Sequence, residues 1–396
     1  MAEKVIRTSL GLKDLVQGEI EQDYQSSLIE QIKSSENCLK LNDLEFHLAQ
    51  EFGFCYGVEK TVDFAYQTLK KFPDKKIYTT SEMIHNPRVN LRLKELGVEF
   101  LEGQYSEGKS FDCITKEDIV LIPAFGATVA DIDRLKERGC ILIDTTCGSV
   151  VHVWKRVERY AKDGFASLIH GKYDHEETIA TISHATMVSG GHYLVVRDLE
   201  QTQQVCDYIE KGGDRKEFLN QFKEAVSEGF DPDKHLSALG VANQTTMLSS
   251  ESLEIAERIK QSLLKKHGEE NRDQHFRSFD TICSATQERQ DAVMELAKSE
   301  KVDIILVIGG YNSSNTTHLV EISEQYHPAF HIQEATEILS LEELRHQPVG
   351  SKEQVVKQGW LPKGKVSIGL TAGASTPNKV IEDVMRRISE LRGLKV

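Results

Sequence analysis

The sequence predicts an α/β protein with largely parallel sheets, in which three similar α/β domains are arranged with pseudo-threefold symmetry around one shared centre. Short β-branched runs alternate with amphipathic helices along most of the 396 residues, and this alternation is typical of α/β layers. Three cysteines each stand between an apolar run and a helix. Each cysteine is followed, at a similar distance, by a strand and a polar cluster, and such a repeated spacing indicates repeated structural units.

The first 45 residues are polar with scattered apolar positions, and they predict an N-terminal extension that is partly helical. Leu28, Ile32 and Leu39 are spaced to share one face of a helix. We place the end of this extension near Asn42, just before the run LEFHLAQEFGFC.

The elements beyond the extension follow from the apolar pattern. Seven runs predict strands, namely KIYTT (76–80), DIVLIPA (118–124), CILIDT (140–145), ASLIH (166–170), HYLVV (192–196), DIILVIGG (303–310) and KVSIGLTAG (365–373). Five amphipathic stretches predict helices, namely residues 58–72, 149–162, 252–268, 288–299 and 378–392.

The domain boundaries are predicted from the same pattern. The expected parts are an extension (1–45), a first α/β domain (46–146), a second α/β domain (147–280) and a third α/β domain with a C-terminal segment (281–396). The second domain should carry a helical insertion at about 208–238. Residues 334–363 predict a helical and loop excursion before the last strand.

The charge and apolar distribution exclude several classes of protein. The chain has 48 Lys and Arg against 62 Asp and Glu, a net charge of −14, which argues against a nucleic-acid binder that needs a basic surface. No apolar run is long enough to span a bilayer. The acidic N-terminus resembles neither a secretory signal nor a transit peptide. We therefore expect a cytoplasmic protein without nucleic-acid or membrane partners, in which the thiols stay reduced.

The three matched cysteines are Cys55, Cys147 and Cys283. A strand and a polar cluster follow each of them, and these clusters place His85, His175 and Asn315 at 30, 28 and 32 residues after the respective cysteine. A second strand-to-helix junction in each unit carries Phe125, Thr245 and Ser375. Ligands of parallel sheets bind beyond the carboxyl ends of the strands, so these loops are expected to converge. The alternative is that any α/β protein repeats strand, loop and helix.

The spacing of these cysteines favours an iron–sulfur cluster. No CxxC is present, which argues against zinc fingers and thioredoxin-like sites. Three thiolates suit a [4Fe–4S] cluster with one open iron, and a helix start favours the thiolate form. The alternative for any one cysteine is a small buried hydrophobe. That is our interpretation of Cys38, Cys113, Cys140 and Cys206.

The polar loops suggest a phosphate site and a proton donor. Ser313, Ser314, Asn315 and Ser375 stand at predicted helix starts, where backbone N–H groups and hydroxyls suit an anion. Neither a P-loop nor a GxGxxG motif is present, and each loop alone is also compatible with an ordinary N-cap. Glu177 could deliver protons, or it could be a solvated glutamate at a helix start.

Taken together, these residues resemble the 4-hydroxy-3-methylbut-2-enyl diphosphate reductase family. The resemblance rests on eight segments in order, GFCYGV, HNPRVN, DTTC, HEETIAT, NQTTM, TICSATQERQ, NSSNTTHL and TAGASTP, which lie between about residues 50 and 390. The N-terminal extension, PAFGAT and the 208–238 insertion are similar to the long cyanobacterial and plastid form.

The resemblance implies a reductive dehydroxylation of an allylic diphosphate to isopentenyl and dimethylallyl diphosphates. Electrons would come from ferredoxin or flavodoxin, ultimately from NADPH. It implies that Cys55, Cys147 and Cys283 bind a [4Fe–4S] cluster, that Glu177 donates protons and that Thr245 contacts the substrate hydroxyl. The residues implied to hold the diphosphate are His85, His175, Ser313, Ser314, Asn315 and Ser375, with His175 also close to the reaction.

The chain departs from the family at two places. Short-form members carry a histidine where this chain has Phe125, so one diphosphate contact must be replaced. Gly148 and Ser149 stand where the family has a proline and a bulky residue, so we expect a looser helix start after Cys147.

Two other functions use the same residues. A cluster-dependent dehydratase or isomerase would use the open iron without net electron flow, and it would need no reductant. A non-catalytic zinc module or redox sensor would lack the cluster's absorbance and its iron.

Overall fold

The computed structural model describes residues 5–279 and 281–396, and its strands are short and largely buried. In chain order they are Val5–Ile6 (β1), Cys38–Leu41 (β2), Leu44–Leu48 (β3), Ile77–Thr79 (β4), Val98–Phe100 (β5), Ile119–Ile122 (β6), Ile141–Asp144 (β7), Ala166–His170 (β8), Tyr193–Val196 (β9), Leu239–Asn243 (β10), Phe276–Ser278 (β11), Ile304–Ile308 (β12), Ala329–Ile332 (β13), Glu343–His346 (β14), Val355–Gln358 (β15) and Val366–Ala372 (β16).

The helices connect these strands, and polar N-caps begin several of them. In chain order they are Lys13–Tyr24 (α1), Ser27–Lys33 (α2), Tyr56–Lys71 (α3), Pro87–Glu95 (α4), Val129–Arg138 (α5), Gly148–Lys162 (α6), Glu176–Thr186 (α7), Leu199–Lys211 (α8), Arg215–Gln221 (α9), Pro232–His235 (α10), Ser249–His267 (α11), Arg272–His275 (α12), Ser284–Lys298 (α13), Ser314–Glu324 (α14) and Asn378–Leu391 (α15). Asn86, for example, caps α4 by accepting a hydrogen bond from the Val89 N–H, and Pro87 occupies the first helical position.

The backbone divides into two compact units. The first contains residues 5–6, 111–118 and 122–283 as far as they are described. Its main sheet is parallel throughout, with strand order β11-β10-β8-β9, and β1 pairs with β7. Helices α6, α8 and α11 supply apolar side chains such as Val157, Val205 and Ile259 to its core. Because β8 and β10 run parallel in register, with His170 opposite Asn243, the loops that follow them leave the sheet at the same edge.

The second unit contains residues 7–110, 119–121 and 284–396. Its larger sheet has the strand order β13-β12-β16-β3-β2, in which all pairs except β2–β3 are parallel. β4 pairs in parallel with both β5 and β6. The amphipathic helix α15 packs Val384, Met385 and Ile388 into the core of the larger sheet.

The predicted α/β class with largely parallel sheets is confirmed. All seven predicted strands and all five predicted helices are present within a few residues of their expected bounds. The 208–238 insertion is helical, with α9 and α10. The three-domain division and its pseudo-threefold arrangement stay predictions, and residues 1–4 and the boundary at residue 280 lie outside the described residues.

Two local predictions are wrong. Leu39 does not share a helix with Leu28, because α2 ends at Lys33 and Leu39 pairs with Phe46 in an antiparallel hairpin. The 334–363 excursion contains one 3-10 turn, Ala335–Glu337, but its main element is the antiparallel hairpin of β14 and β15. That hairpin is mostly exposed and polar, so its strands lack the apolar alternation from which strands are predicted.

In the part of the chain that the structure describes, no helix combines the length and the apolar character needed to cross a bilayer.

Candidate active site

In the first unit, the loops after β8 and β10 bring Glu177 and Thr245 together. The Thr245 backbone N–H donates to Oε1 of Glu177 at 2.6 Å, and the Thr245 hydroxyl donates to Oε2 at 3.0 Å. Both residues are buried, with relative exposures of 3% and 4%. A buried carboxylate needs such donors to offset its lost hydration, so this one threonine holds both oxygens of the glutamate.

His175 is the N-cap of α7, and its ring position follows from that role. Its Nδ1 accepts a hydrogen bond from the Glu177 backbone N–H at 3.1 Å. Because Nδ1 is an acceptor, the proton of the neutral ring is on Nε2. The Phe125 ring lies edge-on to this imidazole, with 6.2 Å between ring centroids and an interplanar angle of 83°. Phe125 therefore supports His175 by packing, although it cannot replace a hydrogen-bonding histidine.

The turn that carries Phe125 requires a glycine. Gly126 has a φ of +84°, and a Cβ there would come within 2.3 Å of the Trp154 ring. Only glycine adopts this conformation without strain and leaves the indole its place.

Cys147 and Cys283 lie at helix starts in the same unit, and both are half-buried. The Cys147 N–H donates to the Ala124 carbonyl at 2.9 Å, and the Cys283 N–H donates to the Thr245 carbonyl at 3.4 Å. Thr245 therefore contacts both the backbone of Cys283 and the carboxylate of Glu177. α6 begins directly at Gly148, and the looser helix start expected after Cys147 stays a prediction.

Gln244 supports this loop, and the sequence did not single it out. Its Oε1 accepts from the Lys172 backbone N–H at 3.1 Å and from the Thr178 hydroxyl at 3.2 Å. Its position next to Thr245 is the one signal that could have identified it.

In the second unit, Cys55 is the half-buried N-cap of α3. Its N–H donates to the Ala374 carbonyl at 3.0 Å. The buried guanidinium of Arg289 donates to the carbonyls of Gly53, at 3.1 and 2.8 Å, and of Phe54, at 3.1 Å. The Arg289 cation therefore holds the loop before Cys55 by donating hydrogen bonds to the carbonyls of that loop.

Two loops of this unit approach His85, one after β16 and one after β12. The Ser375 hydroxyl donates to the His85 carbonyl at 3.0 Å. A Cβ on Gly310 would lie 2.4 Å from the same carbonyl oxygen, so the loop after β12 can approach only as glycine. The side chain of Ser313 caps α14 by accepting from the Thr316 N–H at 3.3 Å.

Asn315 stands at the same helix start as Ser313, but its side chain has no hydrogen-bond partner among the described residues. It is 2% exposed, and neither its Oδ1 nor its Nδ2 has a hydrogen-bond partner anywhere in residues 5–279 and 281–396. Leaving a buried amide unsatisfied costs about 1–3 kcal/mol per group. Such an orphan at a helix start, beside the buried Ser314, is explained if a polar ligand supplies the missing partners.

The other cysteines have different surroundings. The interpretation as small buried side chains is confirmed for Cys140 and Cys206 and is wrong for Cys113, which is exposed. Burial raises the pKa of the Cys206 thiol. Cys38 lies close to Glu45 and His47 in a group with metal-ligand chemistry. Glu45, however, already pairs with Lys40 at 3.8 Å and with Lys365 at 3.1 Å, and two neighbouring ammonium groups disfavour a cation there.

Known proteins are similar to this chain over most of its length. The profile of the family described as LytB protein matches residues 46–389. A 4-hydroxy-3-methylbut-2-enyl diphosphate reductase of Gloeothece citriformis is 47% identical over 392 residues, covering 99% of this chain and 96% of the relative. The corresponding reductase of Crocosphaera subtropica is 49% identical over 385 residues, covering 97% and 94%. The expected similarity to the cyanobacterial form is confirmed.

Two solved structures share the fold. The structure of (E)-4-hydroxy-3-methyl-but-2-enyl diphosphate reductase, the terminal enzyme of the non-mevalonate pathway, is 28% identical with a TM-score of 0.52, and covers 87% of this chain and 99% of that chain. The Plasmodium falciparum E-1-hydroxy-2-methyl-but-2-enyl-4-diphosphate reductase has a TM-score of 0.61 at 22% identity, covering 86% of each chain.

Proposed function

The chain belongs to the LytB protein family and is a reductase of 4-hydroxy-3-methylbut-2-enyl diphosphate, the last enzyme of the non-mevalonate pathway, and we propose that it acts through a [4Fe–4S] cluster bound by Cys55, Cys147 and Cys283, with Glu177 as proton donor. The proposed reaction consumes two electrons and two protons, breaks the allylic C–O bond, and releases water with isopentenyl or dimethylallyl diphosphate.

The cysteines fit such a cluster by their donor chemistry. All three are half-buried cysteines, and each directly precedes a helix, α3, α6 or α13. Cysteine thiolates are the protein ligands of such clusters. When bound, the cluster would supply electrons and an open iron that acts as a Lewis acid.

Glu177 and Thr245 would move the proton. As a carboxylate, Glu177 accepts from both the N–H and the hydroxyl of Thr245. As a carboxylic acid it can instead donate through Oε2 to the Thr245 oxygen, because a hydroxyl has one donor hydrogen and two acceptor lone pairs. Thr245 is then free to turn its own hydrogen toward the substrate hydroxyl. The backbone N–H bond to Oε1 keeps the carboxyl group in place in both states.

The diphosphate would be held by His85, His175 and the helix-start residues Ser313, Ser314, Asn315 and Ser375. The Asn315 amide, which has no hydrogen-bond partner among the described residues, supports this assignment most directly. The Nε2 proton of His175 suits a phosphate oxygen, since its Nδ1 is already used by the backbone.

The electrons would come from ferredoxin or flavodoxin, reduced ultimately by NADPH. Because the cluster needs reduced thiols, we place the enzyme in the cytoplasm, where thiols stay reduced.

The observation that carries this proposal is the hydrogen-bonded run from Cys283 through Thr245 to Glu177. It joins a candidate iron ligand to the candidate proton donor through the residue proposed to contact the substrate hydroxyl.

The test begins with iron and acid-labile sulfide content after anaerobic purification. About four of each per chain, with brown colour, are expected, whereas zinc without sulfide would contradict the cluster. Turnover must also consume two electrons per substrate. Conversion without reductant would instead indicate a dehydratase or isomerase.

A further inference from the structure

Glu82 is a buried carboxylate of the second unit for which the proposed reaction has no role. It follows β4 and precedes His85 by three residues, and its relative exposure is 7%. Burial by itself would raise the pKa of Glu82, but its hydrogen-bonding neighbours, among them Asn312 and Gln104, outweigh burial and lower it. The group is therefore an anion at neutral pH.

Two amides satisfy this anion. Nε2 of Gln104 donates to Oε1 at 2.7 Å, and Nδ2 of Asn312 donates to Oε2 at 2.9 Å. An ionised carboxylate can only accept hydrogen bonds. Glu82 therefore determines which end of the Asn312 amide faces it, and that end is the amino group.

The same amino nitrogen of Asn312 lies 3.1 Å from Nδ1 of His85. An amide NH₂ has two hydrogens, so one can serve Glu82 and the other His85. His85 Nδ1 must then be an acceptor. The opposite tautomer would point an N–H at another N–H. Glu82 Oε2 is itself 3.5 Å from Nδ1, at the limit of a hydrogen bond, so its main influence passes through Asn312.

We propose that Glu82 and Asn312 are positioning residues that hold His85 in the tautomer protonated at Nε2, so that its ring donates a hydrogen bond to the substrate diphosphate. This inference rests on the proposed function, in which His85 binds that group. The His85 backbone is already held by the Ser375 hydroxyl and by the close approach of Gly310. Glu82 and Asn312 additionally determine the orientation and the tautomer of the His85 ring.

A purely structural role for Glu82 is the competing explanation, because its hydrogen bonds join three loops of the unit. A double-mutant cycle separates the two roles, since residues that act through one another give non-additive effects.

The experiment uses anaerobically purified, cluster-containing enzyme with inorganic pyrophosphate as the probe. In Glu82→Gln the new amide can present either end to Asn312, so the tautomer is no longer determined. We expect the pyrophosphate inhibition constant and the substrate KM to rise about 10-fold, the worth of one charge-assisted hydrogen bond. The kcat should change less than about 3-fold at saturating substrate, the pattern of a lost binding interaction. Iron content should stay the same.

Asn312→Ala should change the same constants in the same direction. In a His85→Ala background, Glu82→Gln should add less than about 2-fold. Asp118→Asn is the matched control, because Asp118 is an equally buried carboxylate that accepts two hydrogen bonds, both from Thr115. It should leave the inhibition constant unchanged.

An unchanged inhibition constant in Glu82→Gln would overturn the inference, and so would an equal loss in the His85→Ala background. In both cases the wild-type enzyme would still bind pyrophosphate and reduce its substrate, so the proposed function would stand. A wild-type enzyme with full iron that pyrophosphate does not inhibit would overturn the diphosphate site and this inference together.

Discussion

The hydroxyl of Thr245 lies 3.0 Å from one carboxylate oxygen of Glu177, and the backbone N–H of the same threonine lies 2.6 Å from the other. Both residues are buried. One residue thus both orients the carboxyl group and offers a hydroxyl through which a proton can pass. Two substitutions at Thr245 can therefore distinguish the contact made by the backbone N–H from the contact made by the hydroxyl.

Thr245→Val keeps the backbone N–H and removes the hydroxyl, whereas Thr245→Ser keeps both. We expect Thr245→Val to lose about 10²-fold or more in kcat, in line with loss of acid catalysis, and Thr245→Ser to stay within a few-fold of wild type. Steady-state reduction with a chemical electron donor measures both. Equal activity of the two variants would show that the hydroxyl carries no proton.

Glu177→Gln keeps the size of the side chain but cannot deliver a proton. We expect it to retain its iron and to bind substrate, yet to lose about 10²–10⁴-fold in turnover. Glu176→Gln is the control, because the neighbouring Glu176 side chain is 42% exposed. Near-normal turnover by Glu177→Gln, or the same loss in both variants, would reject Glu177 as the proton donor.

Asn315→Ala tests the unpartnered amide. It should weaken pyrophosphate inhibition by about 5–100-fold, equivalent to about 1–3 kcal/mol. The ligand-free protein should unfold at nearly the same temperature as wild type, because the amide makes no hydrogen bond among the described residues.

Asn90→Ala is the matched comparison for stability. Asn90 is fully buried, and its amide accepts from the Met83 N–H and donates to the Ile84 carbonyl. Its loss should lower the free energy of unfolding by about 1–3 kcal/mol. Destabilisation of Asn315→Ala to the same extent would contradict a role in ligand binding.

Serine at Cys55, Cys147 or Cys283 should abolish or cripple cluster binding, because a hard oxygen suits this site poorly. The same change at Cys113, Cys140 or Cys206 should leave the iron content near that of wild type. Iron and sulfide analysis of the six variants checks both statements. Full iron and activity in Cys283→Ser would remove that residue from the proposed ligand set.

His331 predicts a pH dependence of stability. It is almost fully buried in β13, and burial lowers its pKa to about 4 from an ordinary value of 6.5. As the pH falls below about 6.5, the unfolded chain binds a proton that the folded chain does not. The free energy of unfolding should therefore fall by up to about 3 kcal/mol between pH 6.5 and 4.

Anaerobic thermal unfolding measured across this range should show a flatter pH profile for His331→Gln, which has no titrating group. An identical pH profile in both proteins would contradict the assignment.

The local sequence pattern was sufficient to predict most of the strands and helices. The β-branched runs of β8 and β12 and the amphipathic repeat of α15 stand out in the sequence, since each period is set by neighbouring residues. The hairpin of β14 and β15 was missed because its strands are mostly exposed and polar. Leu39 was assigned to a helix from the spacing of three apolar residues. That spacing carries no information about Phe46, which pairs with Leu39 across the turn between β2 and β3.

The sequence by itself determined the α/β class, the family and the candidate residues, because strand and helix periodicity and short motifs are properties of adjacent positions. The tertiary structure alone decided which of those residues touch. Glu177 and Thr245 are 68 positions apart in the chain, and Glu82 and Asn312 are 230 positions apart. Hydrogen-bond partners at such separations are chosen by strand order and loop approach, and no local pattern encodes either. For that reason the contacts that Glu82, Asn312 and Gln244 make became visible only in the folded chain.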